Sequence, residues 1–114
     1  MELKFIYKIC AKSDWFEIKK NGEYKGSKKD LEDGYIHFSG KDQVKDTLKK
    51  FYQNQKGLIL LKVDAFKLEN LLWEQASDGN MFPHLYSQLD ITNVVDEIEI
   101  TLRDDGFHVL PDNF

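Results

Sequence analysis

Val94-Val95-Asp96-Glu97-Ile98-Glu99-Ile100-Thr101-Leu102 alternates apolar and polar side chains over most of its length. Successive side chains on a strand point to opposite faces, so Ile98, Ile100 and Leu102 share one face and Glu97, Glu99 and Thr101 the other. One dry face and one wet face mark a half-buried antiparallel strand. The same alternation makes Glu97 and Glu99 a solvated face rather than a working pair of carboxylates. Asp104-Asp105-Gly106 follows, a hairpin signal that folds Phe107–Leu110 back as a last strand.

Working outward, Leu58–Val63 is a nearly continuous apolar run, as expected of a strand buried on both faces. Before it, Val44, Leu48, Phe51 and Tyr52 recur at i, i+4, i+7 and i+8, which predicts a helix over Lys41–Gln53 with one apolar stripe. Residues 3–10 read as a first strand. Ser13 and Asp14 offer N-cap oxygens to a short helix through about Lys20, ended by Asn21-Gly22, with Trp15, Ile18 and Phe16 on its buried side. Residues 24–30 read as a polar loop, and Asp33-Gly34 turns the chain into a short strand, Tyr35–Ser39. Asp64–Leu71 reads as a helical turn leading into Leu72-Trp73-Glu74, and Gln75–Met81 as a turn before Phe82–Tyr86. Strands with two or three helices but no regular βαβ alternation predict an α+β fold.

A chain of 114 residues fits one domain, 1–114, and 41% hydrophobic residues suffice for a core that needs no metal or disulfide staple. The formal net charge is −4, and the lysine pairs at 19–20, 28–29 and 49–50 all have acidic neighbours. Binding a phosphate backbone needs several uncompensated cations on one face, so nucleic acid is not expected as a partner. A single phosphorylated small molecule remains compatible with this charge. Cys10 is the only cysteine, so no internal disulfide is expected, and its apolar setting predicts a small buried thiol. Met-Glu-Leu-Lys-Phe at residues 1–5 begins no apolar signal core, and no stretch is long enough to span a membrane. Cytoplasm is the default expectation, with no membrane partner.

Polar chemistry gathers in two peptides. In Tyr35-Ile36-His37-Phe38-Ser39, Ile36 and Phe38 face one way, while Tyr35, His37 and Ser39 form a row spaced about 7 Å from neighbour to neighbour. A phenol, an imidazole and a hydroxyl in a row suit a polar ligand, and imidazole can move a proton near neutral pH. The same residues also read blandly: Ser39 as an N-cap for the following helix, His37 as a structural hydrogen-bonding residue. Phe82-Pro83-His84-Leu85-Tyr86 puts His84 and Tyr86 on one side if extended. Pro83 lacks an N–H and argues for an edge or loop position. This peptide reads equally as a wall for a planar ligand and as a plug over the core. Glu74, beside Trp73, is a carboxylate whose acidity desolvation can tune, or simply a solvent-facing residue next to a core indole. His37, His84 and His108 share no metal-ligand spacing, so no metal site is predicted. No phosphate-cradling glycine loop and no nucleophile elbow is present.

Together Ile6-Tyr7-Lys8-Ile9, Trp15, Gly22-Glu23-Tyr24 with Ser27, Asp33–Ser39, Gln43, Leu60-Leu61-Lys62-Val63-Asp64, Trp73-Glu74 and Phe82–Tyr86 resemble the small bacterial proteins grouped as domain of unknown function 952. Ser87 stands where the family pattern has glycine. The resemblance implies a fold similar to the ADP-ribosyltransferases, a small split mixed β-sheet that grips a nicotinamide dinucleotide in a cleft. By that pattern His37 and Ser39 would hold the ribose or amide, Tyr86 would stack on the ring, and Glu74, with Glu97 as runner-up, would supply the catalytic carboxylate. NAD is then the expected ligand or substrate. A non-catalytic module binding a nucleotide-like metabolite, and a protein–protein adaptor, are the alternatives.

Overall fold

The structure, a computed structural model, describes residues 4–112 and 114. Its elements run β1 (Phe5–Ala11), α1 (Lys12–Asn21), β2 (Glu23–Tyr24), α2 (Lys28–Asp33), β3 (Ile36–His37), α3 (Val44–Phe51, entered through a 3-10 turn at Lys41–Gln43) and β4 (Leu58–Asp64). β5 (Leu71–Gln75), β6 (Met81–Leu85), β7 (Leu89–Asp90), β8 (Val94–Glu99), β9 (Thr101–Leu102) and β10 (His108–Val109) complete it.

β4 is the centre of a three-stranded sheet, with β1 on one side and β8 on the other. Its nearly continuous apolar sequence follows from that position. Ile59, Leu61 and Val63 face a core shared with Ile6, Trp15, Ile36 and Leu85, whereas Leu58 and Leu60 face a second core with Tyr7, Val44, Leu48 and Ile100. Burying large aliphatic side chains stabilises by about 1.5–3 kcal/mol each. A strand loaded on both faces therefore anchors the fold.

The second three-stranded sheet runs β3-β6-β5. Among the described residues it meets the first through one bridge, where the Tyr7 and Ser39 backbones exchange two hydrogen bonds of 2.8 Å. The structure is thus α+β, with several small sheets and three α-helices among the described residues. The expected sheet was mixed, but every ladder among the described residues is antiparallel. No helix carries the chain between adjacent parallel strands, so no parallel pair arises.

Other expectations need correcting too. Ala11, not Ser13 or Asp14, caps α1, and it gives no side-chain hydrogen bond; Phe16 on that helix is exposed. The polar segment read as a loop contains the start of α2, opened by a capping box in which Ser27 and Asp30 satisfy each other's backbone N–H. Only Ile36–His37 of the Tyr35–Ser39 stretch forms a ladder, and the long strand breaks at Ile100 into β8 and β9. Phe51, placed on the apolar stripe of α3, is exposed.

Pro83 sits in β6, the middle strand, rather than at an edge. Its carbonyl accepts from the Phe38 N–H at 3.0 Å, so its missing N–H also lies on the β3 flank. β3 pairing stops at His37 opposite His84, one step short of Pro83, and the β5 ladder is untouched. Among the described residues no helix is long and apolar enough to cross a membrane.

Candidate functional site

Side-chain direction in the β3-β6-β5 sheet follows from its register. Ile36 pairs with Leu85 and His37 with His84, which in turn lies opposite Leu72 on β5. Cross-strand partners share a face, so His37, His84, Glu74 and, one step beyond the ladder, Tyr35 and Tyr86 all fall on one side. Ile36, Pro83 and Leu85 on the other side are buried.

The rings on this face touch. Tyr35 stacks on His84 with centroids 4.1 Å apart and planes 21° from parallel. The same tyrosine lies 4.6 Å from His37 and 5.3 Å from Tyr86, and the two imidazoles are 5.6 Å apart, edge to face. Glu74 closes one side of the cluster: its Oε1 accepts from His84 Nδ1 at 3.0 Å and from the Tyr86 hydroxyl. These two hydrogen bonds, the tyrosine's first, hold the Glu74 carboxyl below the ordinary range, while the bond to Glu74 pushes the Tyr86 hydroxyl up to about 12. Glu74 is therefore an anion at neutral pH. It suits a cation better than it suits a proton-donating role.

His37 closes the opposite side. Nδ1 lies 2.5 Å from Asp30 Oδ1 and Nε2 lies 3.0 Å from Asp33 Oδ2, so neither ring nitrogen is free. Asp30 organises that corner. It also accepts from the backbone N–H of His37 and of Ser27, from Tyr24, and from Lys8 at 2.9 Å. Both Lys8 and Asp30 are buried. Burial pushes the Asp30 carboxyl up, but the hydrogen bond with His37 and the charge of Lys8 outweigh it and hold it well below the usual range. Burial also lowers Lys8, with Asp30 opposing the shift.

Ser39 is not part of this cluster. It is buried, its backbone bridges to Tyr7, and its Oγ lies 3.4 Å from Thr47 Oγ1. Nor does it cap the following turn, whose N-terminus is Gly40, with its N–H donating to Gln43 Oε1. Glu97 lies on β8, in the other sheet, 3.6 Å from Lys19, and Glu99 pairs with Lys12. Burial pushes the Cys10 thiol up to about 11, in keeping with a packing role. Ser87 adopts no positive φ, so the turn after Tyr86 needs no glycine.

The sequence reading missed Lys8, Asp30 and Asp33. Lys8 interrupting the apolar run Ile6–Cys10 was a visible signal, since a lysine on the inward face of a strand must be paired. Its partner lies 22 residues away, beyond any local pattern. A depression of about 250 Å³ adjoins the cluster, bounded by Tyr35, Tyr86, Lys25, Gly34, Leu31 and Gln88. No group of three or more His, Cys, Asp or Glu suited to a metal ion occurs among the described residues.

Comparison with known proteins gives a family and a fold. The model of a family described as "Protein of unknown function (DUF952)" matches residues 9–97. The crystal structure of protein CC0527 from Caulobacter crescentus is similar at 40% identity and a TM-score of 0.87, covering 92% of this chain and 93% of that one. The solution structure of the same protein is similar at 39% identity and a TM-score of 0.82, covering 96% and 93%. No curated protein matches.

Proposed function

The chain belongs to the family described as protein of unknown function (DUF952), and on that footing we propose that the Tyr35–Glu74–His84–Tyr86 face binds a nicotinamide dinucleotide or another ADP-ribose-containing molecule. The observation that carries this reading is Glu74, an anion fastened by Tyr86 and His84 beside a group of aromatic rings. A planar ring that carries positive charge, as nicotinamide does in its dinucleotide, gains both from the carboxylate and from the electron-rich faces of the tyrosines. The adjoining depression of about 250 Å³, which Tyr35 and Tyr86 share but Glu74 and His84 do not line, has room for the part of the ligand next to the ring. This is smaller than the usual drug-sized pocket of about 300–1,000 Å³, so the remaining nucleotide would lie across the surface beyond Lys25.

In the catalytic form of this reading, the bond from the anomeric carbon to nicotinamide breaks and positive charge grows on the sugar. Glu74 stabilises that charge through space, with no proton moved. The split sheet supports an ADP-ribosyltransferase-like fold, and a buried, unpaired Cys10 fits a cytoplasmic bacterial protein. Net charge of −4 argues against nucleic acid as a partner. One observation favours the binding-module alternative: both His37 nitrogens are occupied, so that residue offers nothing to a reaction.

The test pairs binding with turnover. Dinucleotide at a hundred times its dissociation constant should add about 2.7 kcal/mol of stability, read as a rise in Tm. Glu74→Gln should still bind but release nicotinamide on the order of 100-fold more slowly. A ligand-induced rise in Tm with no turnover in the native protein assigns the binding module instead. No rise with dinucleotide, ADP-ribose or nucleotide overturns both.

A further inference from the structure

The three histidines are in different states. His37 has both nitrogens against carboxylates. His108 places Nε2 2.6 Å from the Gln55 carbonyl, while its Nδ1 is sealed in the interior without a partner. His84 is more than nine-tenths buried, with Nδ1 held by Glu74. Its Nε2 has no hydrogen-bond partner among the described residues. A carboxylate only accepts, so the hydrogen of the His84–Glu74 bond sits on Nδ1. In the neutral ring Nε2 is then a bare lone pair. Tyr35, stacked over the ring, and Glu74, beside it, hold that lone pair in one direction.

We propose that His84 Nε2 is the general base of this site, with Glu74 fixing its tautomer. The proposal rests on the dinucleotide reading for its substrate and on geometry alone for its tautomer. The step balances with an oxygen nucleophile, water or an acceptor hydroxyl. Nicotinamide leaves with the electron pair of the bond to the anomeric carbon, the nucleophile's oxygen forms the new bond to that carbon, and its proton moves to His84 Nε2. Glu74 therefore acts twice. It stabilises the cationic sugar through its charge and orients the base through its hydrogen bond, the carboxylate–imidazole arrangement that serves general-base catalysis elsewhere.

The tautomer is measured on the full chain, labelled with ¹⁵N, by two-bond proton–nitrogen correlation at neutral pH. His84 is expected as the Nδ1–H form, shifting towards the Nε2–H form in Glu74→Ala. An Nε2–H ring in the native protein overturns the proposal whatever the ligand proves to be. Nicotinamide release is then compared between the native protein and His84→Asn, with dinucleotide binding followed by the rise in Tm. Loss of release on the order of 100-fold with binding kept supports the base. Equal release in the two proteins overturns it. If the native protein binds no dinucleotide, the substrate reading fails, and the tautomer measurement still decides the state of His84. Should His84→Asn not fold, Glu74→Ala provides the second variant: loss of the Nδ1–H form together with loss of nicotinamide release supports the base, and unchanged release once the Nδ1–H form is lost overturns it.

Discussion

At the scale of single residues, Asp30 decides whether the site corner holds together. One buried carboxylate collects Lys8 from β1, Tyr24 from β2, Ser27 before α2 and His37 from β3. Removing it strands a buried ammonium group. Asp30→Ala is therefore expected to cost about 3–5 kcal/mol in urea unfolding. Replacing Lys8 and Asp30 together by Met and Leu is expected to cost much less, because no unpaired charge remains. Asp30 also sets a pH dependence. Its folded carboxyl is more acidic than its unfolded one, so as pH falls the unfolded chain binds the proton first. The stabilisation is complete above the ordinary carboxylate range, near pH 4, and fades as pH drops towards the lower folded value. Asp30→Ala should flatten that acid arm of the stability curve. An unchanged slope would place the acid sensitivity elsewhere.

At the scale of elements, α2 shows what was readable and what was not. Ser27-Lys28-Lys29-Asp30 carries a serine three residues before a carboxylate, the spacing of a capping box, yet the surrounding lysines and glycines suggested a loop. With six residues, the helix is too short for an apolar period to show. Ser27→Ala is expected to cost about 1 kcal/mol. Gly26→Ala is expected to cost more. Its backbone has φ 118°, and an added Cβ would lie 2.6 Å from the Asp30 Cβ, pushing on the residue that holds His37. Equal Tm values for Gly26→Ala and the native protein would contradict this account of the turn. β6 departs from its sequence signal for a different reason. Proline in a strand points to an edge, but the short neighbour β3 ends before it, so a middle strand tolerates the missing N–H. Partner length is a property of the sheet, and one strand's sequence does not carry it.

At the scale of the whole molecule, the alternating stretch that forms β8 and β9 and the doubly buried β4 make the fold class legible, because one is a pattern of period two and the other a nearly continuous apolar run. How the sheet is split was not legible. It depends on the Tyr7–Ser39 bridge, which spans 32 positions and places Ser39 in the interior rather than on the ligand face. Alternation predicted that Tyr35 and His37 share a face, as register places them, and that His84 and Tyr86 do likewise if extended. Only the register of β3 on β6 on β5 brings both pairs to the same side as Glu74. The central claim is that this one face is where a dinucleotide binds. Titrating the ¹⁵N-labelled protein with nicotinamide dinucleotide, and following every backbone amide, tests it most directly. Saturable shifts centred on Tyr35, Glu74, His84 and Tyr86, and absent along β8, are the predicted result. Shifts confined to β8 and β9, or none at all at saturating dinucleotide, would contradict it.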